Sequence, residues 1–78
     1  MYDTRSISIH GVPVQLRRLP SGDWAVWHPL NESVRALVEP ICRSRGYWHG
    51  EYHNWIVFSQ FADQVWVDLL AAGHAGGQ

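Results

Sequence analysis

Residues 24–38 read WAVWHPLNESVRALV, and residues 55–69 read WIVFSQFADQVWVDL. Laid one above the other, Trp24 meets Trp55, Val26 meets Val57 and Trp27 meets Phe58. Leu30 meets Phe61, Glu32 meets Asp63, Val34 meets Val65 and Val38 meets Leu69, always 31 positions apart and with no gap. A period of this kind marks a repeated structural unit. Each copy begins with a strand-like pattern and then changes to helical spacing. In the first copy Val34, Leu37, Val38 and Ile41 form one stripe of a helix. Asn31 is suited to cap it, with Glu32 in the first turn. Pro40 lies inside the stripe and is expected to kink or end the helix nearby. In the second copy Phe61, Val65 and Leu69 make one stripe, and Ala62, Trp66 and Leu70 its neighbour. Ser59 is a candidate cap there, and Gly73 a natural stop.

Each copy is preceded by one further strand. Val12, Val14 and Leu16 alternate with polar residues before the turn Leu19-Pro20-Ser21-Gly22-Asp23. Tyr47 and Trp48 precede the polar turn His49-Gly50-Glu51-Tyr52-His53-Asn54. The unit is therefore hairpin then helix, present twice. One hairpin cannot bury its own apolar face well, but two side by side form a sheet that two helices can cover. Ser6-Ile7-Ser8-Ile9 adds an edge strand through a tight His10-Gly11 turn. The expected fold is α+β: an antiparallel sheet of four to five strands with two helices on one face, built from two ββα units. It fills residues 1–73 as a single domain, with residues 74–78 as a flexible tail.

The repeat also sorts the residues. Those present in both halves are read as packing residues. Those that differ are read as free to specialise: Tyr47, Trp48, His49, Tyr52 and His53, set against Leu16, Arg17, Arg18, Ser21 and Gly22 at the same offset. Composition narrows what they do. With 78 residues, 17% of them charged, and a net charge of −1, the chain is globular and lacks the basic excess of an autonomous nucleic-acid binder. All six basic residues are arginines. Cys42 is the only cysteine, so no internal disulfide and no cysteine-based zinc cluster can form, which fits a reducing, cytoplasmic setting. No apolar run approaches the roughly 18 residues needed to span a bilayer, and no signal peptide is legible.

His49 and His53 lie four apart, but in extended chain that separates them by roughly 13 Å. Even with Glu51 they make no convincing metal site, and no cofactor is called for. Cys42 sits at the end of the predicted helix, the wrong end for thiolate activation. No nucleophile elbow or phosphate-cradling glycine loop is present. The residues that remain are Arg17, Arg18, Arg45, Tyr47, Trp48, Tyr52 and Trp66. Arginine, tyrosine and tryptophan are the types most enriched at protein–protein hot spots. These seven form the expected partner-binding set, with Tyr47, Trp48 and Tyr52 exposed and contiguous with Arg17 and Arg18. Arginine beside aromatics, as in Arg45, Tyr47 and Trp48, is also how single-stranded nucleic acid is stacked.

Two resemblances bear on this reading. Gly46-Tyr47-Trp48, Trp55-Ile56-Val57-Phe58, Val65 and Leu69 resemble the hairpin-helix module of the HARP domain of annealing helicases and of small domains in plasmid-encoded proteins. That likeness spans under half of the chain, rests on aromatic spacing, and implies DNA-fork binding; the alternative reading is a nucleic-acid-binding accessory module of a mobile element recognising single-stranded or forked DNA. In general character the chain resembles the small inhibitors of phages and mobile elements, such as anti-CRISPR proteins: it is small, aromatic-rich, begins at Met1 and shows no active site. This second likeness implies a non-enzymatic protein, monomer or homodimer, that blocks a larger protein or ribonucleoprotein complex by occupying its surface. It transfers no individual residue.

Overall fold

The computed structural model describes residues 4–76, with side chains described as far as Gly73. Strand β1 (Thr4–Ile9) turns through His10-Gly11 into β2 (Val12–Arg18). Both turn residues have positive φ, 53° and 78°, as a two-residue hairpin turn of the right twist requires. A five-residue turn leads to β3 (Trp24–Trp27), then to helix α1 (Glu32–Arg43). Strands β4 (Gly46–His49) and β5 (Asn54–Val57) follow, then a short 3-10 turn (Ser59–Phe61) and helix α2 (Ala62–Gly76). All five strands pair antiparallel in the order β1-β2-β3-β5-β4.

Both helices lie on one face, as the repeat requires. Ile9, Val14, Leu16, Val26, Trp55 and Val57 point up from the sheet, and Val34, Val38, Cys42, Val65 and Leu69 point down onto them. Each fully buried aliphatic side chain here contributes about 1.5–3 kcal/mol. Arg45 joins the layers of helix: its guanidinium donates to Asp68 Oδ2 at 2.6 Å and to the Ile41 carbonyl at 3.3 Å, linking the end of α1 to α2.

The register carries the repeat further. Trp24 pairs with Val57, and their copies, Trp55 and Val26, pair with each other. Ala25 pairs with its own copy, Ile56. Such a register is that of a local two-fold axis passing through the sheet between Ala25 and Ile56. On the outer strands the offset slips by one. Val26 pairs with Leu16 and Val57 with Gly46, so Arg17 corresponds to Tyr47 and Arg18 to Trp48. The sequence alignment, carried at constant offset, had set Tyr47 against Leu16 and Trp48 against Arg17. The slip arises because the second hairpin carries one residue more: six residues separate Trp48 from its partner Trp55, and five separate the equivalent pair Arg18 and Trp24.

Two helix boundaries, at Ser59 and at Gly73, differ from expectation. Pro40 lies inside α1, which ends three residues beyond it at Arg43. The carbonyl that loses its partner belongs to Ala36, and both residues are exposed, so water can satisfy it. Ser59 starts a 3-10 turn and does not cap α2; its N–H donates to Asp23 Oδ1 at 3.0 Å. Gly73 does not stop α2, which runs to Gly76, so residues 74–76 are helical and only 77–78 of the expected tail lie outside the described residues. A Cβ at Gly73 would sit 3.3 Å from the Ser8 carbonyl oxygen. The glycine thus serves the close approach of α2 to β1. Asn31 caps α1 as expected, its Oδ1 accepting from the Val34 N–H at 3.0 Å.

Candidate functional site

The strand pairing divides the expected binding residues between two faces. In each antiparallel row the paired side chains share a side. Thr4, Arg17, Ala25, Ile56 and Tyr47 form one row on the face without helices. Arg5, Leu16, Val26, Trp55 and Trp48 form the adjacent row, facing the helices. Arg18 shares the helix side with Trp24. Tyr47, Trp48 and Tyr52 are all exposed, at 49%, 49% and 65%. Contiguity fails, however, since Arg17 and Tyr47 lie on the open face while Arg18 and Trp48 lie on the other. Arg17 and Tyr47 are also three strand spacings apart, about 14 Å.

Two residues of the expected set serve the fold. Arg45 is held by Asp68, whose carboxyl lies below the usual carboxylate range because Arg45, and then Gln64, donate hydrogen bonds to it. Trp66 is half-buried, with the Arg5 guanidinium 5.6 Å from its ring centre and 5.2 Å from that of Trp24. Asp63 completes that cluster, 3.6 Å from Arg5.

The open face carries aromatic residues that recur in both halves. Trp27 and Phe58 are copies of each other and were read as packing residues. They flank the local axis on the open face, exposed at 38% and 43%. Phe58 lies 6.1 Å from Tyr47, ring centre to ring centre. Beneath this rim Ala25 and Ile56 are buried, at 7% and 5%, although no helix covers that face. Arg17 and Tyr47 are their neighbours along the row, on either side. Strand alternation was enough to find these two residues: Trp27 and Phe58 are out of phase with the core residues Val26 and Val57.

On the helix side a groove of about 650 Å³ opens between α1 and the β4–β5 hairpin. Trp48 and Trp55 form its floor, packed edge-to-face at 5.5 Å. Arg35, Glu39 and Arg43 of α1 form one wall, and His28, Leu30 and His53 close its ends. Glu39 pairs with both arginines.

His49 and Tyr52 stack at 4.9 Å beside the hairpin turn. His49 pairs with Asn54, yet His49 Nδ1 and Asn54 Oδ1 are buried without hydrogen-bond partners. His53 has φ 53°, a conformation uncommon outside glycine. No group of three metal-binding side chains occurs among the described residues. The Cys42 thiol is pushed up to about 12 by burial, with nearby Arg45 opposing only weakly, so it is protonated at neutral pH and inert as a nucleophile. Among the described residues no helix is long and apolar enough to cross a membrane. No protein-family model, curated protein or solved structure matches the chain.

Proposed function

We propose that this is a small non-enzymatic interaction protein that binds a larger protein or ribonucleoprotein complex and blocks it sterically. The observation that carries the reading is the open sheet face. Trp27, Phe58 and Tyr47 stand exposed there around Ala25 and Ile56, with Arg17 in the same row as Tyr47. Tryptophan, tyrosine and arginine are the residue types that dominate binding energy when buried against a partner. The sheet holds them rigidly, so little conformational entropy is lost on docking. Steric blockade requires only a complementary patch of about 800 Å² on this chain.

A nucleic-acid accessory role is less well supported. Among the described residues at least four of the six arginines are already in ion pairs: Arg5 with Asp63, Arg35 with Glu32 and Glu39, Arg43 with Glu39, and Arg45 with Asp68. Phosphates would have to compete with those carboxylates. The two readings separate in one experiment, in which the purified protein is titrated with single-stranded and forked DNA and, in parallel, used to capture partners from nuclease-treated host extract. The expected result is no tight DNA binding, and capture of a protein complex that persists in moderate salt and is lost in a Tyr47→Ala/Phe58→Ala variant. Tight DNA binding that collapses as salt is added would overturn the proposal.

A further inference from the structure

The two halves of the sheet end differently. On one side β1 pairs with the outer edge of β2 and lies beneath the flank of α2 that carries Trp66 and Leu70. The copies of Trp66 and Leu70, 31 residues earlier, are Arg35 and Glu39. They line the groove above Trp48, and among the described residues no strand pairs with the outer edge of β4. The groove is therefore the place that β1 fills in the other half. Its outer wall is missing, and a strand is what would complete it.

The two edges are also guarded differently. An inward-pointing charge is one of the devices by which edge strands resist pairing. Strand β1 has one in Arg5, held between Trp24 and Trp66 and paired with Asp63. Strand β4, GYWH, has no proline, no lysine and no carboxylate. It presents Tyr47 on one face and Trp48 on the other, each 49% exposed.

We infer that the occupant is a second copy of this chain, joined edge to edge through β4 about a two-fold axis normal to the sheet. That operation is antiparallel, as every existing pairing in the sheet is. It keeps faces in register, so Tyr47 meets aromatic surface on the open side and Trp48 meets it on the helix side. An isologous contact needs a self-complementary patch; aromatic rings on both faces of a short uncharged strand provide one. The α1 flank does not repel the incoming ring, because Glu39 pairs with both Arg35 and Arg43. Net charge −1 opposes association weakly. The result is a ten-stranded sheet whose two open faces point the same way, presenting the partner-binding surface twice. This goes beyond the proposed function and is tested without any partner.

The experiment is size-exclusion chromatography with light scattering on the purified full chain, from micromolar to millimolar concentration. Two variants with one added cysteine each, Tyr47→Cys and Trp48→Cys, are oxidised alongside Val67→Cys on the exposed face of α2. Cys42 is buried and does not interfere. The expected result is a species of twice 8.9 kDa as concentration rises. Trp48→Lys returns it to the monomer mass with an unchanged far-ultraviolet spectrum, and at least one β4 cysteine cross-links well above Val67→Cys. If Trp48→Lys fails to fold, the cysteine comparison decides alone. A monomer throughout the range, or cross-linking at Val67→Cys in preference to β4, overturns the inference.

Discussion

Ala25 and Ile56 are copies of one another, and they face each other across the two central strands. That one pairing locates the axis relating the halves. It also places the candidate binding surface, because Trp27 and Phe58 flank the pair on the side the helices leave open. The strongest packing on that face is therefore central, and the rim around it is available to a partner. Shortening the centre should accordingly cost far more stability than shortening the rim. Ile56→Ala is expected to lower stability by about 2–4 kcal/mol in urea unfolding, as for a buried aliphatic residue. Phe58→Ala or Tyr47→Ala is expected to lower it by about 1 kcal/mol or less, as is usual for exposed positions.

Gly46 and Gly73 provide a second contrast. A Cβ on Gly46 would fall 1.8 Å from the Ile56 carbonyl oxygen, a position no side chain can take without moving β4 off β5. A Cβ on Gly73 would be 3.3 Å from the Ser8 oxygen, a contact that a small shift of α2 relieves. Gly46→Ala is expected to cost about 3 kcal/mol or more, placing it among the exceptional destabilising substitutions. Gly73→Ala is expected to stay within about 1 kcal/mol of the parent, helped by the better helix propensity of alanine. Thermal unfolding followed by circular dichroism distinguishes them.

Among the described residues Asp68 and Cys42 have shifted titration, and each makes stability depend on pH. Asp68 has its carboxyl lowered by Arg45, so its contribution is complete above the ordinary carboxylate range and is lost as pH falls through the lowered value. Asp68→Asn should therefore lose stability at neutral pH, and lose less relative to the parent as the medium becomes strongly acid. Cys42 is raised to about 12, so burying it neutral favours the folded state less as pH climbs above the ordinary thiol range toward that value. At neutral pH its reaction with an aromatic disulfide reagent should track global unfolding, with no faster phase. A rapid native-state phase would show that the thiol is accessible.

Much of this architecture is legible in the sequence because the repeat fixes it twice. Val34 and Val65, or Val38 and Leu69, would each be weak markers alone; together they define both helices, their faces and the shared sheet. Binding residues are less legible for two physical reasons. A turn one residue longer in the second hairpin shifts the outer-strand alignment, so Tyr47 and Trp48 correspond to Arg17 and Arg18, and a one-residue slip exchanges the faces of a strand. Repetition also does not distinguish the two sides of a sheet. Trp27 and Phe58 recur because the axis duplicates whatever lies near it, exposed or buried. Arg45 and Trp66 look like surface hot spots in sequence, but their partners, Asp68 and Arg5, are distant along the chain.

The most direct test of the open face as the binding surface is the affinity of a captured, purified partner complex for parent protein and for the Tyr47→Ala/Phe58→Ala double variant. The variant should bind at least about 100-fold more weakly, equivalent to roughly 2.7 kcal/mol, with its unfolding midpoint little changed. Equal affinity of the two proteins for that complex would contradict the account.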